Sequence, residues 1–194
     1  MSVKRSLEKQ LKRSMLRDRR VSRSFDDAAR KHFDKAKTLM LQEFDSHPVT
    51  EALQGGGTAG LVARGTLFGF LGFEQGEDPT AQLRILLDRG SQIKFQKNLF
   101  SQGRRVYSAT IPNKDELYRA TPLPWARGRS WLKGIEFGVS GMGQYLYNDS
   151  EASRSGEGIQ SKVNKGGGFK NTSYISEILN NFRSRLSAGG IRTS

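Results

Sequence analysis

Few residues of this chain could carry out chemistry, and their spacing does not form a catalytic pattern. Cysteine is absent, which excludes thiolate zinc sites, iron–sulfur clusters, disulfides and cysteine nucleophiles. The chain has two histidines, His32 and His47, so a Ser-His triad would have to use one of them. The helical pattern around His32 predicts a surface residue on a helix flank. Several acids stand where helix caps and exposed helix faces are expected: Asp26, Asp27, Asp34, Glu77 and Asp78.

The glycine-rich runs could cradle a phosphate, but none has the required sequence. They lie at 55–57, 138–143 and 166–168, and none reads GxxxxGK[ST]. The run at 138–143, GVSGMG, lacks a surrounding strand–GxGxxG–helix unit. Its Ser140 is followed directly by glycine, so it is not a GxSxG nucleophile elbow. We therefore expect no catalytic residue, no cofactor and no metal ion.

Clusters of basic side chains are the remaining candidates for a binding site, because lysine and arginine hold phosphate by charge. They comprise a pair beside a predicted turn, a pair near the two tryptophans and a group in a long glycine-rich stretch: Arg104 and Arg105; Arg127 and Arg129 by Trp125 and Trp131; Arg154, Lys162, Lys165 and Lys170. The same groups could bind an acidic face of a neighbouring protein. No RNP, KH, helix-turn-helix or zinc-finger pattern is present, so nothing supports sequence-specific recognition.

The positive charge is concentrated at the two ends of the chain. Of 194 residues, 32 are Lys or Arg and 19 are Asp or Glu, which gives a net charge of +13. Residues 1–24 contribute +7, residues 152–194 contribute +5 and the centre, 25–151, contributes +1. Basic ends on a balanced centre are typical of contact with a polyanion or with an acidic neighbouring subunit. The alternative is a solvated basic tail with no specific partner.

Neither a membrane span nor a secretory signal is expected. No apolar run approaches the ~20 residues that a spanning helix needs. The basic N-terminus, MSVKRSLEKQLKRS, is not followed by an apolar stretch, and Glu8 and Asp18 disfavour an amphipathic transit peptide.

The N-terminal residues predict a cationic helix with a narrow apolar stripe. Within 4–20, Leu7, Leu11 and Met15 recur every four residues, and most other positions are charged or polar. So thin a stripe buries little by itself and needs a partner surface. The residues that follow, 17–23, predict a charged joint.

The next helix has the clearest pattern in the chain. Ser24 is its predicted cap, and Asp27 is the acid of a capping box. Pro48 disfavours helical geometry in the residue before it, so the helix should end near 45–47. One apolar face runs along its length: Phe25, Ala29, Phe33, Ala36, Met40 and Phe44.

The remaining pattern alternates between helical and extended segments. Four further helices are predicted: at 49–53, from a start at Asp78-Pro79, at 114–118 and at about 173–186. The helix that starts at Asp78-Pro79 should bury Leu83, Leu86 and Leu87. The helix at about 173–186 has one apolar face: Ile175, Ile178, Leu179, Phe182 and Leu186. Strands are predicted at 61–63, 66–73, 93–99, 106–111 with Tyr107, Ala109 and Ile111 on one face, and 130–138. A rigid extended loop is predicted at 122–125 and a long mobile loop at 148–172.

These elements predict an α+β fold: a small, mostly antiparallel sheet packed against a long N-terminal helix and a C-terminal helix. The predicted organisation has four parts. They are a basic helical arm at 1–23, a core at 24–147, the Gly/Ser/Lys-rich loop at 148–172 and the C-terminal helix with its tail at 173–194.

Several segments of the chain, most of them in its second half, resemble a known family. The segments that carry the resemblance are 131–138 (WLKGIEFG), 141–147 (GMGQYLY), 153–162 (SRSGEGIQSK) and 174–179 (YISEIL), together with 44–50 (FDSHPVT). They resemble the neck, tail-completion and minor-tail (Z-like) proteins of tailed bacteriophages. The strongly basic helix before Ser24 departs from that family's pattern.

The resemblance implies a structural virion protein without catalysis, which joins head to tail or terminates the tail. It implies partners as well: further copies of the chain in a ring, commonly six-fold, and the neighbouring connector and tail-tube proteins. The expected location is the neck or tail of the virion, after assembly in the host cytoplasm. Candidate subunit contacts are Leu7, Leu11, Met15, Arg154, Ile159, Lys162 and Phe169. Candidate contacts to DNA in the channel are Arg104, Arg105, Lys165 and Lys170.

A second hypothesis comes from the charge alone. A basic protein that binds nucleic acid without sequence preference, such as a ribosome-associated factor, would account for the net charge. It would not account for the long Phe/Met helix face or for the segment 136–138.

Overall fold

The computed structural model describes residues 7, 8, 10, 11, 14, 18–54, 67–101, 104–137 and 174–193; for residues 70, 96–101, 104, 105 and 137 the description covers the backbone alone. From residue 18 onward these ranges contain seven helices and five strands. The helices are α1 Arg19–Asp45, α2 Pro48–Leu53, α3 Leu67–Phe70, α4 Ala81–Gly90, α5 Lys114–Arg119, α6 Trp131–Phe137 and α7 Ile175–Ala188. The strands are β1 Gln92–Ser101, β2 Arg104–Thr110, β3 Pro122–Leu123, β4 Ala126–Ser130 and β5 Ile191–Thr193. The α+β prediction is confirmed, with a long N-terminal helix, a small sheet and a C-terminal helix.

Helix α1 begins earlier than the sequence predicts. Asp18 is its cap, and the Asp18 carboxylate accepts a hydrogen bond from the backbone N–H of Arg20 at 2.7 Å. The predicted cap at Ser24 is therefore wrong. The predicted charged joint at 17–23 is wrong as well from Arg19 onward, because these residues are helical. No residue between Asp18 and Ser24 breaks a helix, so α1 continues through the predicted boundary between arm and core. Its 27 residues span about 40 Å.

The apolar face of α1 is buried as predicted, except at its beginning. Ala29, Phe33, Ala36, Met40 and Phe44 are buried. The prediction is wrong for Phe25, which is 49% exposed and precedes Ala29, the first buried residue of α1. The helix ends at Asp45, as Pro48 predicts.

The predicted turn after Pro48 is helix α2, and a histidine caps it. His47 Nδ1 accepts a hydrogen bond from the backbone N–H of Val49 at 3.2 Å, and Pro48 occupies the first turn. This arrangement positions Val49, Thr50 and Leu53 in the core.

Helices α1 and α7 form the main helical contact of the molecule. The rings of Phe33 and Phe182 meet edge to face with centroids 6.0 Å apart, and those of Phe44 and Tyr174 stack at the same distance. The predicted apolar face of α7 is confirmed, because all five of its members are buried: Ile175, Ile178, Leu179, Phe182 and Leu186.

A polar contact joins α1 to the end of α7. His32 Nε2 lies 2.8 Å from the backbone carbonyl oxygen of Arg185, and His32 is half-buried. The prediction of a plain surface histidine is therefore wrong. The imidazole also occupies the space beside Gly189, where a Cβ built on that glycine would overlap it. Arg185 itself pairs with Glu43 on α1.

In the three-stranded sheet, the strands predicted at 93–99 and 106–111 pair as a hairpin, and a further strand is present that the sequence did not predict. β1 and β2 pair antiparallel, with Ile93 opposite Ala109 and Phe95 opposite Tyr107. Tyr107, Ala109 and Ile111 are buried, which confirms the predicted face. β5 follows α7 and pairs parallel with β2, with Tyr107 opposite Ile191.

Helix α4 is present, although it begins two residues after the predicted first position. Asp78 Oδ1 accepts the backbone N–H groups of Thr80 at 2.9 Å and Ala81 at 3.0 Å, so the predicted acid does satisfy the start of the helix. Of the predicted buried leucines, Leu83 and Leu87 are buried and Leu86 is partly buried. The helix ends at Gly90.

Two predicted strands are helices instead. In place of the strand at 66–73, α3 is followed by a turn, with Gly72 at φ +79°. Leu67 and Leu71, four residues apart, are both buried, which is a helical spacing. The predicted strand at 61–63 lies outside the described residues.

The predicted strand at 130–138 is also wrong, because 131–137 is helix α6. Ser130 Oγ accepts the backbone N–H of Lys133 at 3.0 Å and so caps the first turn. Trp131, Leu132 and Ile135 are buried together, which again fits one face of a helix.

Candidate interaction surface

The predicted N-terminal stripe is open to solvent where it is described. Leu7 and Leu11 have helical conformation, and their side chains are 66% and 63% exposed. Positions i and i+4 are neighbours on a helix surface, so the two leucines belong to one apolar strip. Glu8, Gln10 and Ser14 around them are exposed as well. The strip therefore gains little burial within the subunit.

Most of the other predicted site residues lie outside the described residues: Met15, Arg154, Ile159, Lys162, Lys165, Phe169 and Lys170. The predicted mobile loop at 148–172 lies outside them too. Arg104 and Arg105 open strand β2 and pair with Ser101 and Phe100 of β1, which confirms their place beside the hairpin turn. Of the predicted DNA-facing residues, the structure therefore describes only the backbone of this adjacent pair.

A different pair of arginines stands on a well-defined surface feature, the Trp125 hairpin, which we define as residues 122–130. The predicted extended loop at 122–125 is the first half of this hairpin, in which β3 and β4 are joined by Pro124 and Trp125. Trp125 is 56% exposed. Its Nε1–H donates to the backbone carbonyl of Leu71 at 3.0 Å, so the indole is tied to the turn after α3.

Gly72 allows this close approach of the indole. A Cβ at Gly72 would lie 2.7 Å from Trp125 Cδ1, and the backbone there has a φ of +79°, which favours glycine. The exposed tryptophan is therefore held in one place by a hydrogen bond at its edge and by packing on bare backbone. Among the described residues, no aromatic ring or cation covers its exposed face.

A bulge in the Trp125 hairpin presents two arginines. The register passes from Leu123 opposite Ala126 to Pro122 opposite Ser130, which leaves Arg127, Gly128 and Arg129 without a partner on β3. All three are exposed, and Gly128 has a φ of +76° with no atom within 4 Å of the position that a Cβ would take. No acidic group of the described chain lies within ion-pair distance of either guanidinium group.

The base of the Trp125 hairpin is rigidly held. The hydroxyl groups of Thr121 and Ser130 lie 2.7 Å apart, and the backbone N–H of Trp131 donates to the Thr121 carbonyl at 2.9 Å. Thr121 Oγ1 also donates to the Leu117 carbonyl at 2.8 Å. These bonds join the hairpin to α5 and α6, so its tip projects from a fixed support.

The buried carboxylate of Glu136 has a structural contact that the sequence did not reveal. Glu136 is 5% exposed, and it accepts hydrogen bonds from the backbone N–H of Ser176 at 3.1 Å and from the Ser176 hydroxyl. Lys114 Nζ also donates to Ser176 Oγ at 2.9 Å. Glu136 thus satisfies the start of α7, a position where negative charge is favourable. The sequence predicts a strand at 130–138 and therefore does not place Glu136 at the end of a helix.

A second buried polar group lies beside it. Tyr174 is fully buried, and its hydroxyl lies 2.7 Å from Thr50 Oγ1. Burial raises the pKa of the Tyr174 phenol far above its ordinary value. The His47 ring lies against Tyr174 with centroids 4.6 Å apart. The phenol is held neutral in this environment, and both histidines of the chain make structural hydrogen bonds.

Comparison with known proteins adds no relative: no family model, no curated protein and no solved structure is significantly similar to the chain. Within the part of the chain that the structure describes, no group of three or more His, Asp or Glu side chains could hold a metal ion. In that same part, no helix combines the length and the apolar character needed to cross a bilayer.

Two exposed features are therefore suited to contact other molecules: the Leu7–Leu11 strip and the Trp125 hairpin. The sequence identified the first directly. For the second it placed Arg127 and Arg129 near both tryptophans but did not distinguish Trp125 from Trp131. The available signal was the run PLPWARGR at 122–129, in which prolines and glycine predict a turn between the aromatic and basic residues.

Proposed function

We propose that the chain is a structural subunit of a tailed-bacteriophage virion, which assembles into a ring at the neck or at the top of the tail and has no catalytic role. The resemblance of its second half to tail-completion proteins suggested this function. The single observation that best supports it is the exposed Leu7–Leu11 strip on a cationic segment that precedes a well-packed core.

Apolar side chains that stay in contact with water forgo the free energy that burial would provide. Burying a leucine side chain contributes about 1.5–3 kcal/mol, and neither Leu7 nor Leu11 obtains this within the subunit. A neighbouring copy in a ring can provide the missing cover, because a head-to-tail interface repeats the same contact around a closed circle. The excess of basic residues in 1–24 would then face acidic surfaces of the neighbour or DNA in the channel.

The direct test is assembly of the full chain with a polar strip. In Leu7→Ser/Leu11→Ser we expect the core to stay folded and ring assembly to be lost, as measured by native mass spectrometry and sedimentation. Leu7→Met/Leu11→Met keeps the strip apolar and should assemble like the parent chain. If the serine variant assembles as well as the methionine variant, the strip is not the subunit contact.

A deletion tests the biological role. Removing residues 1–20 deletes the Asp18 cap but should leave a folded protein, because the first buried residue of α1 is Ala29. The deletion should, however, impair completion of infectious tails. Normal completion by the truncated chain would contradict the proposed role of the arm. A purified monomer that forms no ring but binds nucleic acid with micromolar, steeply salt-dependent affinity would favour the nucleic-acid-binding alternative.

A further inference from the structure

We propose that the Trp125 hairpin is a binding site for a single-stranded segment of nucleic acid. In this site the Trp125 indole stacks on an unpaired base, while the guanidinium groups of Arg127 and Arg129 contact neighbouring phosphates. The site is independent of the Leu7–Leu11 strip and does not require ring assembly.

The state of the indole defines the first half of the site. Its one hydrogen-bond donor is already used by the Leu71 carbonyl, so the exposed part of the ring offers only its π surface. That surface is fixed in place by Gly72, and no described side chain covers it. Stacking on a base requires such a surface and no further hydrogen bond, and it tolerates any base because every base has a π face.

The two arginines define the second half. One residue separates them, so their Cα atoms are at most about 7 Å apart, comparable with the separation of successive phosphates along a nucleic acid strand. Their planar guanidinium groups match phosphate oxygens in pairs. Since no described carboxylate neutralises them, both charges are available to a polyanion. The bulge leaves both arginines without a partner on β3, while Thr121 and Ser130 are bonded to each other at the base of the hairpin.

A nucleic acid strand fits this surface better than a protein partner does. Aromatic anchors of protein interfaces lie within a ring of contacts that exclude water, and the centre of such interfaces is depleted of charge. Trp125 instead has two unpaired charges within four residues on one side and the exposed Pro124 on the other. A strand with unstacked bases also fits better than a duplex, because the bases of a duplex already stack on one another and leave no face for the indole.

The experiment is a titration of the full-length chain with a short oligothymidylate, followed by tryptophan fluorescence. Trp131 is 1% exposed, so saturable quenching reports on Trp125. Because the basic ends of the chain also bind nucleic acid, anisotropy of a labelled oligonucleotide measures total affinity in parallel. Trp125→Ala should weaken binding by about tenfold, in the range of one lost base–aromatic stack, while Trp125→Phe should retain most of the affinity.

The arginine pair provides a second variant that does not disturb the fold. Arg127→Gln/Arg129→Gln should reduce the quenching. It should also weaken the salt dependence: the negative slope of log affinity against log salt should become less steep by about 1.4, the value for two phosphates of a single strand. The matched control is Arg89→Gln/Arg192→Gln, which removes two exposed arginines elsewhere and should leave the quenching unchanged.

Three outcomes would overturn the proposal. If the oligonucleotide binds by anisotropy without quenching Trp125, the strand contacts only the basic ends. If the two double variants weaken binding equally, the effect is one of net charge and not of this site. If poly-glutamate quenches Trp125 at the same concentration and salt, the surface is a docking site for an acidic protein segment. None of these outcomes affects the proposed role in ring assembly, which the leucine variants test separately.

Discussion

Trp125 and Trp131 are six residues apart and have opposite environments. Trp131 is 1% exposed, and its ring meets Phe73 edge to face with centroids 6.5 Å apart. Trp125 is 56% exposed and is held at its edge by one hydrogen bond. The first belongs to the core that α6 completes, whereas the second stands at the tip of the Trp125 hairpin.

The difference shows that residue type alone does not assign a role in this segment. A tryptophan brings 150–250 Å² of surface to any contact, and Trp131 uses this surface for folding. Trp125 leaves more than half of its side chain to solvent while Leu71 and Gly72 hold it in position. A side chain that is positioned but not buried retains its apolar surface for contact with another molecule.

The largest expected effect is the difference in stability between alanine variants of the two tryptophans. Trp131→Ala should lower the free energy of unfolding by about 3–5 kcal/mol, because it leaves a cavity beside Phe73. Trp125→Ala should lower it by about 1 kcal/mol, the value of one hydrogen bond with little burial. Chemical denaturation monitored by far-UV circular dichroism measures both. If both variants lose the same free energy of unfolding, Trp125 contributes to the core as much as Trp131 does, and the two tryptophans do not differ in role.

The buried end of α6 should be more sensitive than any charge on the hairpin. Glu136→Gln should lower the free energy of unfolding by about 1.5–3 kcal/mol, because it weakens charge-assisted bonds to Ser176 in a buried site. The exposed Glu177, also in the first turn of α7, provides the control. Glu177→Gln should cost about 0.5 kcal/mol, the effect of the helix dipole alone. Similar losses in the two variants would show that Glu136 acts only through its charge.

The buried phenol of Tyr174, near α2, should make the stability of the fold depend on pH in the alkaline range. Burial raises the pKa of Tyr174, so the folded state keeps its proton where the unfolded chain loses it. The contribution of Tyr174 is therefore complete below pH ~10 and is lost as pH rises above the ordinary tyrosine pKa. Tyr174→Phe should cost about 1 kcal/mol at neutral pH through loss of the bond to Thr50. It should also flatten the alkaline limb of the stability profile, as measured by denaturation between neutral and alkaline pH.

Surface charges should give the smallest effects. The hydrogen bond from Lys37 lowers the pKa of Asp88, so this ion pair stabilises the fold above pH ~4 and loses its effect as pH falls further. Asp88 is nearly half-exposed, so Asp88→Asn should cost at most about 0.5 kcal/mol. Arg127→Gln/Arg129→Gln should change stability by no more than this. A larger loss in the arginine variant, measured in the same denaturation series, would show that the bulge contributes to folding.

The sequence predicted those elements whose pattern fits one secondary structure only. The apolar faces of α1 and α7 repeat over several turns, and the alternation around Tyr107 and Ala109 is typical of a strand, so all three predictions are confirmed. The segments at 67–73 and 131–137 are short and rich in apolar residues, and such segments fit both periods. In the structure both segments contain helices, whose apolar residues pack into the core.

The candidate site could be predicted only in part, for two physical reasons. A cationic segment with a thin apolar stripe is expected to be exposed at its leucines, and Leu7 and Leu11 are exposed. The contrast between Trp125 and Trp131, in comparison, depends on where the Leu71 carbonyl and Gly72 lie in space. That proximity crosses more than fifty residues of sequence and leaves no local pattern.

The contact between His32 and Gly189 has an evolutionary consequence. Because the imidazole fills the space that a side chain at position 189 would need, the two positions are coupled although the chain separates them by more than 150 residues. In relatives of this protein, a side chain larger than hydrogen at 189 should occur together with a smaller residue at 32. The two positions should therefore covary, and the pair would mark in an alignment where α1 crosses the end of α7.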